Sequence, residues 1–211
     1  MAKTKAGKAT DEKANANLSL NAPPTMKPEI VVFKISGVSP LLQNNPAEFI
    51  GKGQGEGITR GKKEYDDEEE ARLRTYRDED GRYCHPTEAF LKSMVKAVAG
   101  KKIGKMFATS ALKGSVFIVE EKSVILDASG KPATAYTIDR RSVVIGKARV
   151  LRCRPCWKEW RMLIALEVDT AICSPENVRD ALSLAGRTVG VGDYRPEKGG
   201  GFGRYVAKIM K

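Results

Sequence analysis

The stretch Thr188-Val-Gly-Val-Gly-Asp-Tyr-Arg-Pro-Glu-Lys-Gly-Gly-Gly-Phe-Gly-Arg-Tyr-Val206 holds six of the 20 glycines of the chain. It separates an amphipathic, helix-like segment from a final strand-like segment. We call residues 189–204 the glycine loop. Glycine adopts positive φ angles without strain and lets a ligand approach the backbone closely. Because cationic and aromatic residues are interleaved with the glycines, the stretch favours binding of phosphates and bases over a plain mobile turn before an edge strand.

The charge of the chain points in the same direction. Its 211 residues include 37 Lys and Arg against 26 Asp and Glu, which gives a net charge of +11 and a pI of about 9.5. Such an excess indicates a polyanionic partner, because cations gain affinity when phosphates release their counterions. A basic pI that only keeps the protein soluble is the alternative. Without a signal peptide or a membrane-spanning apolar run, we expect a cytoplasmic protein.

Four cysteines are too few for a disulfide scaffold in a chain of this size. Cys153 and Cys156 have the spacing of a metal-binding pair, and Cys84, His85 and Cys173 are the candidates to complete a zinc site. Cys84 and His85 are adjacent, so they cannot easily reach one ion together. Ordinary thiols are therefore the favoured interpretation, and the sequence predicts no metal and no cofactor.

Composition divides the chain into an arm and one domain. Residues 1–28 are rich in lysine, alanine and asparagine and poor in large apolar groups, so they predict a disordered basic arm. Residues 29–211 predict a single domain with an insertion at about 38–82. The insertion contains the glycine-rich run Gly51–Gly57 and a charged, solvated or partner-facing helix at 62–77.

The remaining elements predict an α+β fold. The first strand and the strand at 159–169 are apolar on both faces, as central strands are. Pro86 and the Ser174-Pro175 pair mark helix starts. The order is βαββαβ, the ferredoxin-like or RRM-like plan, with a long insertion after the first strand and the glycine loop before the last. The predicted elements are strand 30–36, helix 86–100, strands 115–152, strand 159–169, helix 174–186 and strand 202–209.

Two strongly basic stretches accompany the glycine loop. From Lys92 to Lys113 the polar positions carry six lysines and no acid, and from Asp139 to Arg161 there are eight cations against two acids. Mixed charges would suffice for solvation, so this asymmetry favours a binding surface. The residues predicted to bind nucleic acid are Lys92, Lys96, Lys101, Lys102, Lys105, Arg140, Arg141, Lys147, Arg149, Arg152, Arg154, Gly190, Gly192, Tyr194, Arg195, Lys198, Gly199, Gly200, Gly201, Phe202, Gly203 and Arg204.

This layout resembles the RAMP superfamily, in particular the backbone subunits of CRISPR effector complexes. The likeness is carried by Ser36-Gly-Val-Ser-Pro-Leu-Leu42, by Tyr83-Cys-His-Pro-Thr-Glu-Ala-Phe-Leu-Lys92 and by the glycine loop. The loop sequence is also similar to small proteins of phage genomes. The RAMP resemblance implies that the loop and a thumb-like insertion, here 38–63, grip single-stranded RNA while several copies line up along it. It further implies homo-oligomers and other effector-complex subunits as partners.

The leading hypothesis is therefore sequence-tolerant binding of single-stranded nucleic acid, RNA rather than DNA, without enzymatic activity. One alternative is a RAMP-type endoribonuclease, with His85 as general acid or base or with Glu48 and Glu56 holding a metal ion. The other is a phage structural or assembly protein that contacts nucleic acid. A Walker A or Rossmann nucleotide site is not expected, because the glycine loop lacks the Lys-Ser/Thr pair and precedes a strand.

Overall fold

The computed structural model describes residues 26–46, 66–146 and 148–210. The predicted arm up to residue 25, the glycine-rich run at 51–57 and Lys147 lie outside these residues. No described helix is long and apolar enough to cross a membrane. The elements in chain order are β1 (Pro28–Gly37), β2 (Leu41–Leu42), α1 (Asp67–Leu73), β3 (Cys84–Pro86), α2 (Thr87–Ala97), β4 (Lys102–Ile103), β5 (Met106–Phe107), α3 (Ala108–Ser115), β6 (Val116–Ile118), β7 (Lys122–Val124), β8 (Thr137–Ile145), β9 (Ala148–Trp157), β10 (Arg161–Asp169), α4 (Pro175–Thr188) and β11 (Tyr205–Ile209).

An antiparallel sheet with the strand order β11–β1–β10–β6 forms the centre of this mixed α+β structure. Phe33 of β1 lies opposite Ile164 of β10, and both side chains are fully buried. The two strands predicted to be central are the inner strands of this sheet. Their second face is open, with Ile30 66% and Leu163 44% exposed. Apolar residues on both faces of a strand therefore predicted correctly that the strand is an inner one. They did not mean that a second layer of structure covers the other face of the sheet.

Two helices cover the buried face of this sheet. α2 packs against α4, and α4 packs against β11. At their centre the hydroxyl of Tyr205 lies 2.9 Å from that of Ser93, so the buried phenol has a hydrogen-bond partner. The Ser174 hydroxyl accepts a hydrogen bond from the Asn177 N–H and caps α4, with Pro175 in its first turn, as the sequence predicted.

A second sheet has the order β2–β9–β8. The βαββαβ plan places the strands predicted at 115–152 in the central sheet, which is wrong for β8 and β9. They form a long hairpin whose Thr137 and Cys156 are paired, and β9 extends to 157 and pairs with β2. The physical reason is that Leu41 and Leu42 of β2 are fully buried beside β9, a long-range pairing that periodicity does not reveal.

The charged helix predicted at 62–77 is observed as α1, from Asp67 to Leu73. Asp66 caps it by accepting hydrogen bonds from the N–H groups of Glu68 and Glu69. α1 packs against β9, and its Ala71 is fully buried. One face of the helix is therefore part of the packed structure, and its acids face the cations of the β8–β9 hairpin.

Candidate nucleic-acid interface

The glycine loop is tied by backbone hydrogen bonds to the segment that joins β1 to β2. The N–H of Gly203 donates to the carbonyl of Pro40 and that of Asp193 to Leu42, each at 2.8 Å. Within the loop, the N–H of Val191 donates to the carbonyl of Gly203 at 3.0 Å. The loop is thus an ordered platform, because most of its backbone groups have fixed partners.

Four of the six loop glycines are required by packing. A Cβ added to Gly190 would lie 2.7 Å from Pro196, and at Gly192 it would lie 2.3 Å from the carbonyl oxygen of Leu42. At Gly200 and Gly203 the corresponding distance to a carbonyl oxygen is 1.7 Å. Only Gly199 and Gly201 face open space. Only at these two positions is there space for a ligand to approach the backbone, as predicted. The other four glycines allow neighbouring parts of the chain to pack closely against the loop.

An aromatic patch is formed by Tyr194 and Phe202 of this loop together with Arg141 of β8. The two rings are 6.1 Å apart between centroids, and the Arg141 guanidinium carbon lies 4.8 Å from the Phe202 centroid and 5.9 Å from that of Tyr194. Tyr194 has φ of 48° and is 42% exposed. A non-glycine residue with positive φ is strained, and such strain concentrates at functional sites. The loop holds this tyrosine outward although the backbone disfavours it.

The loop cations differ in how far they are engaged. Arg195 binds the Glu197 carboxylate and the carbonyl of Gly192, and Lys96 of α2 binds the same carboxylate. The hydrogen bond from Lys96, and then those from Arg195, lower the pKa of Glu197. Lys198 and Arg204 are exposed, and no described acidic group forms an ion pair with either.

The cations of the β8–β9 hairpin are mostly paired with acids. Arg140 lies 3.2 Å from Asp67, Arg152 lies 3.4 Å from Glu70, and Arg141 donates to Asp139 at 2.8 Å. Arg149 is exposed near the tip of the hairpin. The ion pairs of Arg140 and Arg152 lie between the hairpin and α1, so these arginines have a structural partner in addition to any ligand.

Arg154 differs from the other predicted cations because it is buried. It is 5% exposed, and its guanidinium lies 2.7 Å from Asp193 of the glycine loop and 3.6 Å from Asp139. Arg154 is among the residues predicted to bind nucleic acid. The structure instead places it beneath the loop, where it connects β9 to Asp193.

The predicted lysines divide between α2, which carries Lys92 and Lys96, and the short segment that follows it. Lys101, Lys102 and Lys105 belong to the exposed β4–β5 hairpin, which packs against α3. Lys102 lies 5.6 Å from the ring centroid of Phe107. Lys92 pairs with Glu88 one helical turn away. The structure thus brings Arg141 together with Tyr194 and Phe202, and it places the β4–β5 hairpin against α3.

His85 is buried behind the glycine loop. Gln43 accepts a hydrogen bond from the N–H of Tyr76 through its Oε1, so its amide nitrogen faces the Cys84 carbonyl and the Nδ1 of His85. Nδ1 therefore accepts, and the ring proton of the neutral imidazole is on Nε2. Desolvation by burial, with a smaller contribution from Arg195, lowers the pKa of His85 to about 4. Sequence reasoning missed Gln43, which carries no motif signal.

This burial predicts a pH dependence of stability. The unfolded chain takes up the histidine proton at about pH 6.5, whereas the folded protein does so near pH 4. Stability is therefore complete above pH 6.5 and falls by roughly 3 kcal/mol as the pH drops to about 4. His85 is the only histidine of the chain, so its ring proton gives one NMR titration. A midpoint near 6.5 would contradict the buried neutral ring.

The four cysteines are buried free thiols. Burial raises the pKa of Cys84 and that of Cys173 to about 11 each. Cys153 donates a hydrogen bond to Asp67. Within residues 26–46, 66–146 and 148–210, no group of three or more His, Cys, Asp or Glu side chains is arranged to hold a metal ion.

Comparison with known proteins finds likeness among solved structures and none among sequences. No protein-family model matches the sequence, and no curated protein matches it. Among solved structures, Cmr6 from Pyrococcus furiosus is similar over 86% of this chain and 98% of its own, with 13% sequence identity and a TM-score of 0.44. A likeness at this level does not indicate which residues act or what the protein binds.

Proposed function

We propose that the protein binds single-stranded nucleic acid, RNA in preference to DNA, without strong sequence selectivity. The observation that carries the proposal is the aromatic patch: the exposed ring of Tyr194 and the half-buried ring of Phe202 on a loop held by backbone hydrogen bonds, with the guanidinium of Arg141 from β8 beside them. Every base has a π-face, so stacking on such rings is sequence-tolerant. The ordered loop also supports affinity, because little conformational entropy is lost when a strand binds.

The charges beside the patch suit a phosphate backbone. Arg141 is exposed and stacks on the ring of Phe202, while Lys198 and Arg204 are exposed within the loop. Cations at this position would follow the phosphates of a strand whose bases stack on Tyr194 and Phe202. The basic residues outside the patch, among them Arg149 and the β4–β5 lysines, support contact with a longer strand or with neighbouring copies on it.

We further infer that the central sheet and its two helices form a ferredoxin-like, RRM-like unit of the RAMP type. Without the second sheet and the short hairpins, the order is β1, α2, β6, β10, α4, β11. The strand order β11–β1–β10–β6 supports this inference, because it places the last strand beside the first and the third beside the first. The open second face of the sheet is compatible with such a unit.

The inferred activity is binding without catalysis. The neutral His85 has its proton on Nε2 and its Nδ1 occupied by Gln43, so it has no free lone pair with which to act as a general base. The other candidates, Glu48 and Glu56, lie outside the described residues. Incubation of labelled RNA with and without Mg²⁺ tests this point, and an unchanged length distribution is the expected result.

The proposal predicts that removal of either ring weakens binding. In fluorescence-anisotropy titrations with a labelled 12-nucleotide oligo(U), Tyr194→Asn and Phe202→Leu should each raise Kd by about 5- to 150-fold, since base stacking contributes about 1–3 kcal/mol per base. Asparagine tolerates the positive φ at position 194, so the fold should be retained.

Two matched variants serve as controls. Tyr194→Phe keeps the ring and should bind like the wild type. Arg179→Ala removes one partly exposed cation from α4, away from the patch, and should lower affinity far less than Arg141→Ala. The wild-type affinity should fall with salt, at about −0.7 in log K per log salt for each phosphate contact. Absence of binding, or an affinity that does not depend on salt concentration, would contradict the proposal.

A further inference from the structure

The β4–β5 hairpin carries lysines around an exposed aromatic ring. Phe107 is 60% exposed, so the hairpin leaves in water a ring whose burial would stabilise the fold. Lys102 lies opposite Phe107 in the strand pairing, and its ammonium nitrogen is 5.6 Å from the ring centroid. Lys101 precedes this pair and Lys105 lies in the turn, and both are exposed. We call residues 101–107 the basic hairpin.

The basic hairpin is held in place by the body of the protein. The N–H of Lys101 donates to the carbonyl of Val98 and the N–H of Ala108 donates to that of Lys101, each at 2.9 Å. Ile103 packs against the hydrophobic core, and β4 and β5 both contact α3. The turn between the strands contains Gly104 with φ of +57°, a conformation that glycine adopts without strain. An ordered element therefore presents the exposed ring to solvent.

The charge around this ring has one sign. Residues 89–119 contain six lysines and no acidic residue. Across the part of the chain that the structure describes, no acidic group forms an ion pair with Lys101, Lys102 or Lys105. Such cations gain affinity when a phosphate backbone releases its counterions, and an exposed ring between them offers a surface for a base. The hairpin therefore matches a polyanion that also carries flat rings.

α2 connects the basic hairpin to the glycine loop. Lys96 near the end of α2 binds the Glu197 carboxylate within the loop, and β4 begins six residues later at Lys102. Six residues span no more than about 22 Å, which limits the distance between these two lysines. A strand of 12 nucleotides extends over about 41 Å at the ~3.4 Å spacing of stacked nucleotides. One strand of this length can therefore contact the loop and reach the hairpin.

We infer that the basic hairpin is a second contact for the bound strand, at which a base stacks on Phe107 and the three exposed lysines contact the flanking phosphates. The inference rests on the proposed function, because it assigns a further contact to the same ligand. An anionic membrane surface would also attract the lysines, but segments that bind such surfaces bury a broad apolar face. The hairpin exposes two large apolar side chains, Met106 and Phe107, which is enough for one stacked base.

The test uses the full chain and the labelled 12-nucleotide oligo(U) in fluorescence-anisotropy titrations. Phe107→Leu removes the ring at an exposed position, so the fold should be retained while Kd rises by about fivefold or more. Phe107→Tyr keeps a ring and should bind like the wild type. Phe117→Leu changes another exposed phenylalanine, on β6, and is the matched control that should leave Kd unchanged.

The lysines give a second, independent measurement. A variant that combines Lys101→Gln, Lys102→Gln and Lys105→Gln should bind oligo(U) more weakly than the wild type. Its slope of log K against log salt should be smaller by up to about 2, because each lost phosphate contact removes about 0.7 from the slope.

The outcomes separate this inference from the proposed function. If the wild type binds oligo(U) and both hairpin variants keep its Kd and its salt slope, this inference is overturned while the proposed function stands. If the wild type does not bind, the proposed function fails and takes this inference with it. Vesicles that contain phosphatidylserine test the membrane alternative. Binding to them that is lost in both variants, with unchanged affinity for oligo(U), would also overturn the inference.

Discussion

Replacement of Gly203 by alanine is expected to lower the free energy of unfolding by about 2–5 kcal/mol, the sum of a left-handed backbone and an overpacked site. Gly203 has φ of +65°, and an added Cβ would lie 1.7 Å from the carbonyl oxygen of Val191. Neither backbone can move away easily, because Val191 donates to the Gly203 carbonyl and Gly203 donates to that of Pro40. Thermal denaturation followed by circular dichroism should show Tm lower by about 4–20 °C.

Gly201→Ala is the matched control two residues away. Gly201 faces open space and its φ lies outside the left-handed region, so a methyl group there should change the free energy of unfolding by less than about 1 kcal/mol. Equal stability losses in the two variants, or no loss in Gly203→Ala, would contradict the packed loop. The comparison distinguishes glycines that are required for packing of the loop from glycines that face open space.

The parts of the fold that the sequence predicted correctly are those with local causes. The Ser174-Pro175 start of α4 and the apolar stripe of α2 follow from capping and from the helical period, which need no knowledge of distant residues. The inner strands β1 and β10 were recognisable from their apolar residues. The open face of the sheet was not, because an exposed Leu163 and a buried Leu166 look alike in a sequence.

The parts that could not be predicted depend on contacts between distant segments. The pairing of β9 with β2 joins residues more than 100 positions apart in the chain, and no pattern in either strand specifies the partner. The roles of the cations also depend on contacts between distant segments. Arg141 and Arg154 both looked like surface residues, but one stacks on Phe202 while the other is buried against Asp193. Only the approach of the glycine loop to the β8–β9 hairpin separates their roles.

The buried ion pair between Arg154 and Asp193 leads to the second prediction with a large effect on stability. Arg154→Met should lower the free energy of unfolding by about 3–5 kcal/mol, because removal of one partner leaves buried charge without compensation. The Arg154 guanidinium lies between Asp193 of the loop and Asp139 of β8. Asp139 in turn accepts a hydrogen bond from Arg141, which stacks on Phe202. Loss of Arg154 should therefore weaken oligo(U) binding as well as stability, although the residue is too buried to touch a strand.

Arg152→Met is the matched control on the same strand, since Arg152 is 31% exposed in its side chain and pairs with Glu70. Partly exposed pairs contribute about 0–1 kcal/mol, so this variant should stay close to the wild type in urea denaturation. Adding Asp193→Asn to Arg154→Met removes one of the uncompensated charges. The double variant should then be more stable than the sum of the single losses by about 1–3 kcal/mol. Strict additivity would mean that Arg154 and Asp193 act independently, and the loop would be held by its backbone hydrogen bonds alone.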